Sequence, residues 1–199
     1  MKKWLIPVIV IVVILGIGFF WTMGIKNGAI AQKQSVDKNW GNVETSYQRR
    51  NDLIGNLVNT VEGAANFEKG TFTAITEARS RANSVQVDPS NATPEQLAAY
   101  AKAQNDVQSS FRSLLGNITV EAYPQLRSNE NFLKLQDELA STENTIQTAR
   151  TRYNESVESY NNYVLKFPNS IFLGEYKEKP YFKSVEGAET PTEVKFDIK

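Results

Sequence analysis

Hydrophobic positions along the chain fall into two regimes. From Trp4 to Trp21 almost every residue is apolar and none is charged. Continued through Met23 to Ile25, the run reaches the roughly twenty residues needed to cross a hydrocarbon layer of ~30 Å, and Trp4 and Trp21 stand at its ends as interfacial aromatics do. Beyond Asn27 the apolar residues recur instead at alternating steps of three and four. Val36, Trp40, Val43, Tyr47, Arg50, Ile54, Leu57, Val61 and Ala64 form one series, prolonged by Glu68, Phe72, Ile75, Arg79 and Ala82. This spacing predicts long helices packed side by side. No proline falls between Pro7 and Pro89, but Gly41, Gly55, Gly63 and Gly70 each weaken a helix by about 1 kcal/mol relative to alanine. A bend or break is expected between Gly63 and Gly70, where Asn66 is placed to cap a new helix.

Asp88 to Glu95 is a turn cluster that ends in a start signal, with Thr93 as N-cap, Pro94 at the first helical position and Gln96 three residues after the cap. The helix it opens carries an inward stripe of Leu97, Tyr100, Gln104, Val107, Phe111, Leu114 and Ile118, and is expected to stop before Pro124. A further helix is expected to open at Ser128 and to run on the seam Phe132, Leu135, Leu139, Thr142, Ile146, Ala149, Tyr153, Val157, Tyr160, Val164 and Phe167 until Pro168. Phe172, Tyr176, Tyr181 and Phe182 are expected to fold back onto the helices. Residues 183–199 hold too little apolar surface to fold and read as a flexible tail. The pattern as a whole predicts an all-α protein, with a single N-terminal transmembrane helix over residues 1–26, an antiparallel bundle of three to four long helices over 27–182, and the tail.

Composition narrows the chemistry. The 199 residues fit one domain plus accessories. Cysteine and histidine are both absent, which removes disulfides, thiolate and imidazole metal ligands, cysteine nucleophiles and the usual general base at neutral pH. No catalytic residue, cofactor or metal ligand is therefore assigned. The 22 basic and 22 acidic residues balance, so no excess positive field points to nucleic acid. Lys2 and Lys3 flank one side of the apolar run and Lys26, Lys33 and Lys38 the other, which leaves the orientation of the anchor open. A cleaved signal peptide is the alternative to an anchor, with Ala29-Ile30-Ala31 as its cleavage site, but the run exceeds the ~7–15 residues of a signal h-region. Gly24-x-x-x-Gly28 has helix-pairing spacing, yet it lies at the polar end of the span and supports no particular oligomer.

Charge on the apolar seam is the chain's oddest feature. Arg50, Glu68 and Arg79 occupy core-facing positions, and a buried charge deprived of its partner costs roughly 3–5 kcal/mol. Glu143 and Arg150 on the last long helix, with Asp52 and Glu77 nearby in sequence, are the available counterparts. Arg49, Arg50, Asp52, Glu68, Arg79, Glu143 and Arg150 together make a candidate polar layer. One reading is a network that fixes helix register, or long side chains snorkelling to the bundle edge; the other is a polar site for a ligand or partner. Tyr153, Tyr160 and Tyr163 at helical spacing read as core.

Several segments in order resemble the LemA family of membrane-anchored bacterial proteins. They are Val43-Glu-Thr-Ser-Tyr-Gln-Arg-Arg-Asn-Asp-Leu-Ile-Gly-Asn-Leu-Val through Glu62-Gly63, Ile75-Thr-Glu-Ala-Arg79, Glu121-Ala-Tyr-Pro-Gln-Leu, Asn129-Glu-Asn-Phe-Leu-Lys-Leu-Gln-Asp-Glu-Leu, Glu143-Asn-Thr-Ile and Arg150-Thr-Arg-Tyr-Asn-Glu-Ser-Val. The chain departs from the family pattern at Gly55, where proline is usual, and at Ala64, where tyrosine is usual. The resemblance implies a short N-terminus, one anchor and an antiparallel helical bundle, and it implies no catalytic activity. The resulting expectation is a non-enzymatic interaction or scaffold module held in the bacterial cell (inner) membrane by one pass. It would contact lipid through residues 4–25 and a protein partner through the bundle. The alternatives are an enzyme or accessory subunit using the Glu and Arg layer, and a signal-transducing helix.

Overall fold

The computed structural model describes residues 4–64, 69–117 and 129–183. Its first helix, α1 (Leu5–Ala64), has 60 residues and at 1.5 Å per residue is about 90 Å long. Up to Met23 its large apolar side chains are exposed, and this part is long and apolar enough to cross a membrane. From Ile25 onward the same helix gains neighbours. Ala29, in the tripeptide that would serve as a signal-cleavage site, is mid-helix and fully buried.

Helix α2 (Lys69–Ser84) runs back along α1. The Asn51 amide donates to Asn83 Oδ1 at 3.3 Å, and Gly55 leaves room for the Arg79 guanidinium. The break expected between Gly63 and Gly70 thus separates two antiparallel helices; Asn66 and Glu68 lie outside the described residues. Helix α3 (Pro94–Asn117) opens on the predicted capping box, in which the Thr93 N–H donates to Gln96 Oε1 at 3.0 Å and the Gln96 N–H to Thr93 Oγ1 at 3.2 Å. It runs parallel to α1, placing Tyr100 against Trp40 and Gln104 against Arg50.

Helix α4 (Glu130–Leu165) is capped by Asn129, whose side chain accepts from the N–H groups of Asn131 and Phe132. The cap expected at Ser128 is therefore one residue later, because the Asn129 side-chain oxygen reaches both of these orphan donors; Ser128 itself lies outside the described residues. α4 is antiparallel to α1 along its length, with Glu143 beside Arg50, Tyr153 beside Trp40 and Tyr163 beside Ile25. The Tyr163 hydroxyl occupies the space that a Cβ at Gly28 would take, so this close approach requires glycine there.

After the short α5 (Asn169–Phe172), residues 173–183 climb back along α4 as an irregular strap. With no ladder of their own, the buried backbone groups of the strap need partners from elsewhere. Two asparagines of α4, two turns apart, supply them. Asn161 donates to the Lys179 carbonyl and accepts from the Lys179 N–H, both at 2.9 Å, while Asn154 treats Phe182 the same way at 3.0 and 2.9 Å. Phe182 is thereby stacked on Trp40, with centroids 5.8 Å apart and planes at 11°, and edge-on to Tyr153. The expected return of the aromatic cluster is seen in Phe172, Tyr176 and Phe182, which pack onto the core, whereas Tyr181 stays exposed.

The core has two parts. A lower one joins α1 from Ile25 to Tyr47 with the C-terminal half of α4, the start of α3 and the strap. An upper one joins α1 from Leu53 to Val61 with α2, the rest of α3 and the N-terminal half of α4. Replacing Asn161 with alanine leaves the buried N–H and C=O of Lys179 unpaired, at a cost of roughly 2 kcal/mol or more. We expect Asn161→Ala to lower the thermal midpoint and to speed tryptic cleavage at Lys177; an unchanged melting and cleavage pattern would count against the clamp.

Candidate functional site

Between the two core clusters, three helices each contribute a polar residue to one contact. On α1 it is Arg50, between Tyr47 and Leu53; on α3 it is Gln104, between Tyr100 and Val107; on α4 it is Glu143, between Leu139 and Ile146. Arg50 is only 1 % exposed. Its Nη2 donates to the Gln104 carbonyl at 2.7 Å and to Gln104 Oε1 at 2.9 Å, and its Nη1 donates to Glu143 Oε1 at 3.3 Å. The guanidinium also lies over the Tyr47 ring, 4.9 Å from its centroid. Its Nε is buried without a hydrogen bond.

The other residues of the predicted layer lie elsewhere. Arg49 and Asp52 are exposed, Asp52 accepting from Gln48 at 3.0 Å, because neighbours in a helix sequence point about 100° apart and cannot share the face of Arg50. Arg79 packs half-buried over Gly55, one turn from the layer, with its Nε unpartnered. Glu77 pairs with Arg81 on the surface rather than with Arg79. Arg150 is taken by the strap, donating to the Lys183 carbonyl at 2.9 Å and lying over the Phe182 ring. Glu68 is outside the described residues. Gln104, which supplies two of the three acceptors for Arg50, was visible in the sequence as a polar residue on an apolar stripe but was not assigned to the layer.

Through Gln104 and Glu143 the Arg50 guanidinium ties α1 to α3 and α4. Glu143 is partly open, with 35 % of its side chain exposed, and it borders a cavity of about 250 Å³ between α3 and α4 that is otherwise mainly apolar. Among the described residues no cluster of acidic side chains is arranged to hold a metal ion.

A larger concavity lies lower down, between α3 and the strap. This groove of about 790 Å³ has Leu97, Ala98 and Ala101 on one wall and Pro180, Tyr181 and Phe182 on the other. Lys102, Asp106, Glu178 and Lys183 mark its rim. Nothing in the helix periodicity marks this groove, since one wall is an irregular segment.

Comparison with known proteins places this architecture. The family model that matches the chain is that of the LemA family, over residues 39–196. The chain belongs to the LemA family. It is similar to Protein LemA of Metamycoplasma hominis, 27 % identical over 153 residues that make up 77 % of this chain and 65 % of that protein. It is also similar to Magnetosome protein MamQ 2 of Paramagnetospirillum magneticum, 25 % identical over 182 residues, with 83 % of this chain and 67 % of that one covered. Magnetosome protein MamQ of Magnetospirillum gryphiswaldense is 24 % identical over the same length. The chain spans about two thirds of the length of these relatives. Its departure from the usual LemA pattern at Gly55 has a local counterpart, because any residue with a Cβ there would displace the Arg79 guanidinium.

Behind the groove and below the layer, the LemA bundle holds a set of buried tyrosines. Burial raises Tyr47 above its ordinary value against the opposing pull of Arg150 and Arg50, and it raises Tyr100 as well. Tyr153 is fully buried, donates to the Pro180 carbonyl at 3.3 Å, and is pushed up to about 12 by burial, with the Asp37 charge adding to the effect. A group whose pKa is higher folded than unfolded contributes stability that is complete below the unfolded value and is lost as pH rises through the folded one. Stability should therefore fall as pH climbs from about 10 to about 12. Tyr153→Phe should flatten that fall while costing about 1 kcal/mol at neutral pH for the lost hydrogen bond. Denaturant melts at stepped pH give the comparison, and equal slopes in the two proteins would contradict it.

Proposed function

We propose that this LemA-family chain is a non-enzymatic scaffold of the bacterial cell membrane, anchored by one pass of α1 and binding a protein segment in the groove between α3 and the strap. The groove itself is the observation that carries the reading. Its walls are apolar while its rim carries both signs of charge, a combination suited to an extended or helical peptide with an apolar anchor side chain. The Arg and Glu layer supports the same reading, since its Arg50 links three helices through Gln104 and Glu143.

Height above the membrane makes the proposal specific. Trp40, against which Phe182 stacks at the back of the groove, is 19 residues past Trp21, about 28 Å along a straight helix. A partner would therefore be met well clear of the lipid headgroups, by a soluble domain or a long extramembrane segment.

A photo-crosslinking amino acid at Tyr181, 40 % exposed on the groove wall, tests this in intact cells. We expect a discrete adduct that disappears when Ala98→Trp fills the groove, with no adduct from the same probe at Gln147 on the outer face of α4. Adducts that form equally at both positions, or that survive Ala98→Trp, would overturn the groove as the binding surface.

A further inference from the structure

The base of the bundle carries apolar side chains that neither the core nor the groove uses. At the turn from α4 into α5, Leu165 is 52 % exposed, Phe167 80 % and Ile171 66 %. Such residues scattered singly need no explanation, but a cluster of large ones at one end of a bundle does. Their height is fixed by two contacts with the anchor helix. The Tyr163 hydroxyl donates to the Ile25 carbonyl at 3.2 Å, and α4 runs antiparallel to α1, so Phe167 lies about 6 Å further down, near the level of Trp21. Phe172 then meets Trp21 directly, edge to face with centroids 5.7 Å apart. One turn of α1 above, Lys26 pairs with Glu175 at 3.3 Å.

We infer that the turn formed by Leu165, Phe167 and Ile171 inserts into the headgroup and acyl boundary of the membrane, as a second lipid contact beside the span. The inference rests on the reading of α1 as a membrane span. The occupant is a lipid surface rather than a second protein because the patch is continuous, through Phe172, with the aromatic that ends the span. Trp21 is where an interfacial tryptophan belongs, and a neighbouring apolar turn at that height meets the same layer. Exposed Lys166 beside Phe167 can reach anionic headgroups while its stem stays among the apolar residues. A second contact beside α1 would limit the tilt of the bundle relative to the membrane, rather than leave it to swing on a single helix.

The absence of cysteine from the chain gives a clean test. Single nitroxide labels are attached to the full chain at Ile171→Cys, Leu165→Cys, Val12→Cys and Gln147→Cys, in vesicles of phosphatidylethanolamine and phosphatidylglycerol. Collision rates with molecular oxygen, which partitions into lipid, are compared with those of a water-soluble nickel complex. Labels at 171 and 165 should favour oxygen, between the fully lipidic value at 12 and the aqueous value at 147. If 12 is lipidic while 171 and 165 match 147, the second contact is overturned and the span stands. If 12 is aqueous, both fall. If 171 and 165 are shielded from both reagents and broadened by spin–spin coupling, a second copy of the chain covers the turn and the lipid contact is overturned. Two label sites, both exposed, guard against a local distortion at either.

Discussion

A guanidinium buried inside an otherwise apolar bundle is the constraint around which the rest of this molecule is arranged. Arg50 sits at a seam position, where its charge survives only if acceptors meet it. Those acceptors come from two other helices: the Gln104 side chain and backbone carbonyl from α3, and Glu143 from α4. A shift of α3 by one turn would replace the Gln104 side chain with Tyr100 or Val107, and a shift of α4 would replace Glu143 with Leu139 or Ile146, so either would cost the charge a side-chain acceptor. Apolar packing alone is tolerant of such slippage, because a leucine accepts most neighbours of the right size. The layer removes that tolerance, and it divides the core into an upper cluster built with α2 and a lower one built with the strap.

The lower cluster shows how a bundle half lacking α2 is completed. There α1 and α4 continue together, and the irregular strap of residues 173–183 covers part of their shared surface. Its attachment depends on side chains that act as substitutes for a backbone ladder, Asn161 and Asn154 each engaging both the N–H and the C=O of one strap residue. Lys179 closes the arrangement, with its ammonium donating to the Pro89 carbonyl, 3.8 Å from Asp37 and over the Tyr160 ring. Burial lowers its pKa, Asp37 opposing the shift, as befits a cation held among apolar neighbours. The groove proposed as the binding surface exists because this strap, rather than a regular helix, forms one wall. The continuous α1 joins that surface to the apolar segment below it.

Most of the architecture was legible in the alternation of threes and fours. The apolar run, the interruption after Gly63, the capping box at Thr93 and the long final helix all arise from local rules that operate within one or two turns. Arg50 and Glu143 were legible too, as charges on or beside an apolar stripe. Arg49 and Asp52 were grouped with them by sequence proximity, but one or two residues along a helix is 100° or 200° around it. Arg79 lies over Gly55 with its Nε unpartnered, a placement that seam spacing alone does not predict. Arg150 does reach Tyr47 beside the layer, but its bond to the Lys183 carbonyl depends on a strap whose path charge alone does not predict. The roles of Asn154, Asn161 and Lys179 were not legible, since each partner is the backbone of an irregular segment whose path no periodicity predicts. The groove was invisible for the same reason.

A double-mutant cycle on Arg50 and Glu143 tests the register layer most directly. Arg50→Met and Glu143→Leu are made singly and together in the full chain, and unfolding free energies are measured in detergent. If the two side chains act as one unit, Glu143→Leu alone strands part of the Arg50 charge and the double variant regains much of that loss. Its destabilisation should then fall short of the sum of the single effects by about 1–3 kcal/mol. Effects that simply add would mean that the two residues do not depend on each other, and the account of the layer as what fixes the bundle would be wrong.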